Sequence, residues 1–370
     1  MPAANVEAMR VTHSDARAWD VPMRAPYRSA QRVTTTARNV LVRITLEDGT
    51  TGYGESAPAT YVTGETQESV VADLNEFLAA ASRTPEEMLV EARARLRTAP
   101  GALGALETAL LDALARARNV PLSSLLNPDA HPESGARATD LSLPILPPDE
   151  ARARAADAAA HGFTALKIKV GSEDRDADLA RVRAVADAAP RARLRLDGNQ
   201  GFSAEEAVRF AGQLHDLADR IEMLEQPTKA GDDDALRFVA ARVPYPVYAD
   251  ESCHGPDDAR RLLESRSCGG IVLKLAKTGL TGTMETARAA YDAGGRCLFG
   301  CMMETRIAIG AALHATLALG PEIVPMLDLD GHLLVHDDAL LTGGPVQHGE
   351  TLAADLSAPG LGLLLVSPQP

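Results

Sequence analysis

ALKIKVGSEDRDADLARVRAVADAAPRARLRLDGNQ, residues 165–200, is the stretch that decides the fold. It begins with a short apolar run, continues through an amphipathic segment near Ala177–Ala189, and ends in a second apolar run that stops at Asp197. A strand, a helix and another strand in this order form the βαβ unit of a parallel sheet. Because Lys169 and Asp197 stand at the ends of the two strands, we predict a parallel sheet with its reactive side chains at one edge.

The same alternation continues on both sides of this unit, from Thr139 onward. When each apolar run is ended at its last polar residue, successive strand ends lie 24 to 28 residues apart, at Ser142, Lys169, Asp197, Glu225, Asp250, Lys274, Cys301 and Asp328. A strand, a helix and two loops need about 25 residues, and eight such units close into a barrel with its active site at the C-terminal ends of the strands. The spacing therefore predicts an α/β fold of the TIM-barrel type.

The residues before the barrel have a different pattern. Asn39–Leu46 alternates apolar and polar residues, and Asp48-Gly49 turns the chain into Thr51–Gly54, which predicts an antiparallel hairpin. Leucines at spacings of three and four predict a helix over Ala102–Arg118. Residues 127–136 (NPDAHPESGA) are rich in turn-forming residues and mark a candidate domain boundary.

Composition excludes several classes of protein. The chain has 370 residues, 51 Asp and Glu against 37 Lys and Arg, a formal net charge of −14, and 45% hydrophobic residues. This describes a globular chain, and the acidic balance disfavours nucleic acid as a partner. No run approaches the roughly 20 apolar residues of a membrane span, and Met1–Arg10 lacks the order of a signal peptide. We therefore predict a cytoplasmic protein without a membrane partner.

The cysteines and histidines do not indicate a zinc site. Four cysteines show no CxxC spacing, and nine histidines show no HExxH or HxH pattern. Buried, reduced thiols are the simpler interpretation of the cysteines. Any metal ion should therefore be held by oxygen atoms.

Three carboxylates follow three consecutive strands: Asp197 after RLRL, Glu225 after IEML and Asp250 after PVYA. Adjacent strands lie about 4.8 Å apart, so these side chains can converge on one point. The alternative for each residue alone is a helix N-cap or a loop ion pair. Three in succession favour a site for a hard octahedral cation, with Mg²⁺ the default and Mn²⁺ the alternative.

Lysines accompany these carboxylates. Lys167 and Lys169 are two residues apart on one strand and point to the same side, while Leu166 and Ile168 point to the helix layer. Like charge and partial desolvation are expected to lower the pKa of at least one of these lysines. Lys274 ends a strand three units beyond Asp197, so Lys169 and Lys274 are predicted to flank the metal from opposite sides. The alternative, a solvated surface lysine, does not suit positions within apolar strands.

A cation between two opposed amines suits the removal of a proton α to a carboxylate. The cation and Lys167 would neutralise the charge of the resulting enediolate, and the two lysines would act as base and acid. A base on each face delivers the proton from the opposite side and inverts the stereocentre. The residues therefore predict racemisation or epimerisation.

Five motifs together resemble the enolase superfamily, muconate-lactonizing subgroup: KIK at 167–169, LDGNQG at 196–201, EQP at 225–227, ADES at 249–252 and LKLAKTG at 273–279. The resemblance implies an N-terminal α+β capping domain over a modified (β/α)₇β barrel. It implies one Mg²⁺ per subunit on Asp197, Glu225 and Asp250, with Lys169 and Lys274 as the acid/base residues. The family tends to form homo-oligomers, which we take as the expectation here.

The resemblance also predicts domain limits. Residues 1–135 are expected to form the capping domain and residues 136–344 the barrel, with the tail of about 345–370 completing the cap. The apolar run Leu361–Val366 in this tail is expected to pack on the N-terminal sheet.

The substrate is predicted from residues outside this shared set. Asp328 and Asp330 in MLDLDGHLL are two apart and can face the pocket together, which suits an ammonium group. They resemble the DxD motif of dipeptide epimerases, which binds the N-terminal amine. The alternative is an ordinary turn, for which Asp-x-Asp-Gly is also typical.

The other end of the substrate is predicted by resemblance. Arg32 falls where the Ala-Glu epimerases carry an arginine for the glutamate side chain, although Arg24, Arg28 and Arg38 compete for this assignment. The loop Tyr61–Thr66 resembles a mobile loop that closes over the site. Three further residues at strand ends that line the pocket in this family are Ser142, Cys301 and Met303.

The predicted function is Mg²⁺-dependent epimerisation of the C-terminal residue of an L-Ala-L-Xaa dipeptide, with L-Ala-L/D-Glu the leading candidate and peptidoglycan peptide recycling the matching context. The alternatives are an N-acylamino acid racemase or an o-succinylbenzoate synthase. A barrel that binds a metal and a small acid without turning it over is the non-enzymatic alternative.

Overall fold

A computed structural model describes residues 9–30, 32–79, 83–337 and 339–366 of the chain. The expectation for the N-terminal segment Met1–Arg10 therefore lies largely outside the described residues. Within them, no helix combines the length and apolar character that crossing a membrane requires.

The N-terminal sheet has three antiparallel strands in the order β1-β2-β3: β1 Val11–Arg28, β2 Val33–Leu46 and β3 Thr51–Ser56. The predicted hairpin is β2 and β3, with Thr45 opposite Thr51 and Gly49 at φ 86° in the turn. Strand β1 was not predicted, because its many charged and polar residues obscure the alternation of apolar and polar positions.

Four helices complete this part of the chain: α1 Gln67–Leu78, α2 Pro85–Arg95, α3 Pro100–Ala117 and α4 Leu122–Leu126. The predicted helix is α3, and its leucines and alanines pack against the sheet. Gly54 allows this close approach, because a Cβ there would lie 1.9 Å from the carbonyl oxygen of Ala105. The result is an antiparallel sheet covered on one face by helices, as expected for a capping domain.

After a short strand β4 (Ala136–Ala138), eight strands form one sheet in sequence order: β5 Leu141–Leu143, β6 Ala165–Lys169, β7 Arg193–Asp197, β8 Ile221–Glu225, β9 Val247–Ala249, β10 Gly270–Leu273, β11 Arg296–Gly300 and β12 Met326–Asp328. All neighbouring pairs are parallel. Residues beside the two outer strands approach each other, because Asp140 N donates to Leu327 O at 3.2 Å. The sheet is a nearly closed barrel, which confirms the predicted fold class.

Helices surround the barrel: α5 Pro148–Ala160, α6 Arg175–Ala188, α7 Ala204–Gly212, α8 Asp233–Ala240, α9 Pro256–Glu264, α10 Leu275–Asp292, α11 Arg306–Leu319 and the short α12 Gly331–Leu334. Helix α10 is broken at Gly279, where φ is 71°. Leu166 and Ile168 belong to the large apolar core shared with these helices.

Alternation along the strands also fills the barrel interior. Met223, Tyr248, Val272 and Leu298 form a separate buried apolar cluster. Because side chains on one face of a strand recur every two residues, the next inward positions after Met223, Tyr248 and Val272 are those of Glu225, Asp250 and Lys274. The apolar cluster therefore fills the barrel interior directly below the charged residues at the C-terminal ends of the strands.

The tail contains β13 Leu341–Gly343, β14 Val346–His348, β15 Thr351–Ala353 and β16 Leu363–Leu365. Strand β16 pairs with β13, and β14, β15 and β4 form a third sheet. The tail reaches the capping helices, where Leu361 N donates to Asp112 Oδ1 at 2.7 Å and Arg116 donates to Leu363 O at 2.7 Å. It therefore contacts helix α3, and Leu361 and Leu363 belong to the same buried apolar cluster as Leu41 and Tyr53 of the N-terminal sheet. The predicted limits 1–135 and 136–344 remain predictions.

Candidate active site

A cavity at the mouth of the barrel, the central cavity, is lined by residues from both parts of the chain. All three predicted lysines and both predicted aspartates of the DxD pair line it. Arg32, Ser142, Cys301 and Met303 line it as well. The three predicted metal ligands, Asp197, Glu225 and Asp250, are fully buried next to these lysines.

Lys167 connects two of the carboxylates to the DxD pair. Its Nζ lies 3.2 Å from Asp197 Oδ2, 2.8 Å from Glu225 Oε2 and 2.7 Å from Asp328 Oδ2. Since one ammonium group reaches three carboxylates on three different strands, these strand ends converge at the mouth.

The two predicted acid/base lysines contact different carboxylates. Lys169 Nζ lies 2.5 Å from Asp197 Oδ2, and Lys274 Nζ lies 2.6 Å from Asp250 Oδ2. Lys277 donates to the other oxygen of Asp250 at 2.9 Å and to Val272 O at 2.7 Å. Lys277 was not predicted to be part of the site, although it stands within the LKLAKTG motif.

The lysines do not have the lowered pKa values that like charge and desolvation suggested. Burial disfavours their charged forms, but the facing carboxylates outweigh it: Asp197 raises the pKa of Lys169, and Asp250 and Glu225 raise the pKa of Lys274. The pKa of Lys167 is raised in the same way, chiefly by Asp328. The expectation was wrong because it counted the neighbouring lysine and left out the carboxylates.

The predicted metal ligands differ in their electrostatics. Burial opposes ionisation of Asp197 and Asp250, but their lysine partners prevail and lower the pKa of each carboxyl. Burial and the neighbouring charge of Asp197 raise the pKa of Glu225 to about 8. Three carboxyl groups that perturb one another in this way form one cluster.

The DxD pair is also asymmetric. Asp328 accepts from Ser142 Oγ at 3.1 Å and pairs with Lys167, and although burial opposes ionisation, Lys167 lowers the pKa of Asp328 to about 2. Asp330 accepts from Ser142 N at 2.6 Å, but burial and the charge of Asp328 raise its pKa to about 7. The two carboxylates therefore have different partners before any substrate is present.

Arg32 stands on the connection between β1 and β2, and its guanidinium carbon lies 4.8 Å from the ring centroid of Tyr61. Tyr61 begins the loop that was predicted to close the site, and both residues line the central cavity. Among the competing arginines, Arg38 pairs with Glu68 at 2.6 Å and Arg24 lies 3.5 Å from His336. Within the described residues, Arg32 is the arginine that lines this cavity.

Seven other lining residues were not predicted: Tyr27, Ser29, Thr34, Asn199, Glu251, Met302 and Leu334. Two of them stand inside motifs that were recognised, LDGNQG and ADES, but sequence spacing assigned roles only to the aspartates of those motifs. Burial and then the charges of Asp250 and Asp197 raise the pKa of Glu251 to about 7.

The residues present fit a hard divalent cation by their chemistry. The described residues contain no group of three or more His, Cys, Asp or Glu side chains already arranged for a metal ion. The available donors are nonetheless all carboxylate oxygens, as Mg²⁺ prefers. Glu251 adds a buried carboxylate whose two oxygens have no hydrogen-bond partner among the described residues.

Comparison with known proteins identifies the family. Residues 150–367 match the family model "Enolase C-terminal domain-like", and residues 13–127 match "Mandelate racemase / muconate lactonizing enzyme, N-terminal domain". The chain belongs to this family of the enolase superfamily.

Two relatives illustrate the range of similar proteins. An L-Ala-D/L-Glu epimerase from Clostridium acetobutylicum is 31% identical over 353 residues, covering 93% of this chain and 95% of the relative. A hydrophobic dipeptide epimerase from Citrifermentans bemidjiense is 36% identical over 351 residues, covering 92% of this chain and 94% of the relative. Because such relatives are epimerases, the chain is an enzyme of the isomerase class.

Solved structures agree with this family assignment. The dipeptide epimerase from Enterococcus faecalis, complexed with Mg and the dipeptide L-Leu-L-Tyr, matches with a TM-score of 0.87 and 31% identity over 96% of this chain and 99% of that chain. The dipeptide epimerase from Methylococcus capsulatus, complexed with Mg and L-Arg-D-Lys, matches with a TM-score of 0.86 and 34% identity over the same shares.

Proposed function

We propose that this protein is a Mg²⁺-dependent dipeptide epimerase that inverts the C-terminal residue of an L-Ala-L-Xaa dipeptide, with L-Ala-L-Glu and L-Ala-D-Glu as the leading pair. The observation that carries the proposal is that Lys169 and Lys274 contact different carboxylates, Asp197 and Asp250, and line one cavity with Asp328 and Asp330. An acidic cluster, two amines and an ammonium-binding pair are the groups that this reaction needs.

The cation would be held by Asp197, Glu225 and Asp250. When bound, Mg²⁺ supplies positive charge that acidifies the α-proton of a carboxylate substrate and stabilises the negative charge that develops on its oxygens. Two similar solved structures are complexes with Mg, and the oxygen-only donor set of this chain supports the same ion, with Mn²⁺ as the alternative.

Lys169 and Lys274 act as the two proton carriers. The neutral amine of one lysine removes the α-proton, and the ammonium group of the other returns a proton to the opposite face, which inverts the carbon. Each lysine is charged while it contacts its carboxylate, so the one that acts as base must first lose a proton. A cation held by the same carboxylates would oppose the charged form of the lysines and would favour this loss.

Lys167 stabilises charge instead of moving a proton. It is fully buried among Asp197, Glu225 and Asp328, and these three acids keep it charged. A fixed ammonium group beside the reacting carboxylate lowers the energy of the anion formed on proton removal.

The DxD pair supports a substrate with a free amine. Asp328 and Asp330 line the cavity next to Ser142 and Cys301, and two carboxylates at this end attract an ammonium group. An N-succinylamino acid or o-succinylbenzoate would present an anion there and would be repelled. This is the reason to prefer a dipeptide over the substrates of an N-acylamino acid racemase or an o-succinylbenzoate synthase.

Arg32 supports glutamate as the second residue of the dipeptide. It is exposed within the cavity and held against Tyr61, so its guanidinium group can pair with a side-chain carboxylate. A relative that acts on the Ala-Glu pair is 31% identical to this chain. We take peptidoglycan peptide recycling in the cytoplasm as the matching context and a homo-oligomer as the expected assembly.

Deuterium exchange tests the proposal. The protein with MgCl₂ in D₂O is expected to exchange the α-proton of the second residue of L-Ala-L-Glu and to produce L-Ala-D-Glu, followed by NMR. Chelation of the divalent ion is expected to stop both events. Exchange of N-succinylated amino acids in preference to the dipeptide would support the racemase instead.

One variant distinguishes the proposed enzyme from the alternative of a barrel that only binds a small acid. Lys169→Ala is expected to abolish epimerisation while dipeptide binding persists. Unchanged turnover by this variant would remove the mechanism, and dipeptide binding by the wild type without any exchange would favour the binding barrel.

A further inference from the structure

Glu251 is a buried acid that the proposed reaction leaves without a role. It follows Asp250 directly and its side chain is 2% exposed. Neither Oε1 nor Oε2 has a hydrogen-bond partner among the residues that the structure describes. Because the side chain lines the central cavity together with Asn199 and Lys274, its unpartnered carboxylate faces the interior of the site.

Unlike Glu251, the neighbouring acidic residues each contact at least one lysine. Asp197 contacts Lys169, Glu225 contacts Lys167, and Asp250 contacts two lysines. Glu251 has no such ammonium partner among the described residues. A buried carboxylate without a partner is unfavourable, and proteins retain one when a cation or another ligand completes its surroundings.

We infer that Glu251 is a fourth carboxylate of the cation site, which accepts hydrogen bonds from the water ligands of the divalent ion and raises the affinity of the site. The inference rests on the proposed function, since it assumes that Asp197, Glu225 and Asp250 hold the ion. Mg²⁺ in proteins usually keeps several water ligands, and those waters are donors that need acceptors. An acid beside Asp250 with two free oxygens meets that need.

Metal affinity provides a readout that does not depend on turnover. Titration with Mn²⁺, followed by the EPR signal of the free ion, is compared among the wild type, Glu251→Gln and Glu304→Gln. The matched control Glu304 is also buried, at 3% exposure, but it accepts from Met302 N and does not line the central cavity. Loss of a group that supports metal ligands costs about 10- to 100-fold in affinity, so we expect Glu251→Gln to bind Mn²⁺ at least about 10-fold more weakly and Glu304→Gln to stay within about twofold.

Thermal unfolding gives a second measurement. Without metal, Glu251→Gln is expected to melt at a higher temperature than the wild type, because an unpartnered buried charge has been removed. With MgCl₂ its gain in melting temperature is expected to be smaller than that of the wild type. Glu251→Met, which has a similar length and no charge, repeats both measurements if the glutamine variant fails to fold.

The outcomes separate the two proposals. If the wild type binds Mn²⁺ and both Glu251 variants that fold bind it equally well, the role of Glu251 is wrong while the proposed epimerase stands. If the wild type itself binds neither Mn²⁺ nor Mg²⁺, the metal-dependent function is wrong and the inference about Glu251 is overturned with it.

Discussion

Lys167 on β6 and Asp328 on β12 form a buried ion pair where the barrel nearly closes, with Nζ 2.7 Å from Oδ2. The two aspartates therefore have different partners. Asp328 already neutralises the charge of a lysine, whereas Asp330 accepts a hydrogen bond from a backbone N–H. The substrate ammonium group should therefore depend more on Asp330.

We predict that Asp330→Asn raises KM for L-Ala-L-Glu about 10- to 100-fold, the effect of losing one hydrogen bond to a charged group, and changes kcat less. Asp328→Asn is predicted to lower kcat, because Lys167 loses one of its three carboxylate partners. Steady-state kinetics of the two variants measure the split. A rise in KM confined to Asp328→Asn would reverse the assignment.

Protonation of Asp330 predicts a pH dependence. Burial and Asp328 raise its pKa to about 7, so the carboxylate takes up a proton as the pH falls below that value, whereas the substrate amine stays charged there. KM for the dipeptide is predicted to rise as the pH falls from 7.5 to about 6. The same change should be absent in Asp330→Asn, and its persistence there would assign the effect to another group.

Substitution of each lysine tests whether the two bases act on opposite faces. Lys169→Gln and Lys274→Gln are each predicted to lose epimerisation by at least about 10²-fold and to retain α-proton exchange with only one epimer in D₂O. The retained epimer should differ between the two variants, as measured by NMR on L-Ala-L-Glu and L-Ala-D-Glu. Loss of exchange with the same epimer in both variants would place the amines on one face.

Arg32→Met is predicted to lower kcat/KM for L-Ala-L-Glu about 10- to 100-fold, because a charge-assisted hydrogen bond is lost, and to leave L-Ala-L-Leu within about threefold. Arg38→Met is the matched control, since Arg38 pairs with Glu68 and does not line the central cavity. An equal loss with both dipeptides would indicate that Arg32 supports the loop of Tyr61 instead of selecting the side chain.

The raised pKa of Glu304 predicts that the free energy of unfolding depends on pH, independently of the catalysed reaction. Burial and the nearby Glu55 raise its pKa from 4.5 to about 8, so the folded state prefers the protonated form. Stability from this group is complete below about pH 4.5 and is lost as the pH rises through about 8. Glu304→Gln, which resembles the protonated acid, should therefore gain stability relative to the wild type between pH 5 and 9.

The expected gain grows with pH and reaches at least about 1.4 kcal/mol, the equivalent of one pKa unit, by pH 7. Urea unfolding of both proteins at pH 5, 7 and 9 measures the difference. A difference that stays constant over this range would show that Glu304 does not titrate as described.

Much of the site was predictable because strand geometry is regular. In a parallel barrel, residues that end successive strands share one mouth, so Asp197, Glu225 and Asp250 could be grouped from spacing alone. Strand β1 could not be predicted, since polar residues along it obscure the alternation of apolar and polar positions. Tyr27 was missed because nothing in its local sequence separates it from ordinary neighbours, and Glu251 was missed because only Asp250 of the ADES motif was assigned a role.

The sequence by itself determined the barrel, its polar mouth and the set of acids and lysines that stand there, because alternation and spacing are local properties of the chain. Tertiary structure alone decided which partner each of these groups meets. Lys167 and Asp328 are 161 residues apart, and their contact exists only because the closing barrel brings the ends of β6 and β12 together. The same closure raises the lysine pKa values, leaves Glu251 without a partner and sets Arg32 against Tyr61, since burial and long-range charge depend on the whole fold.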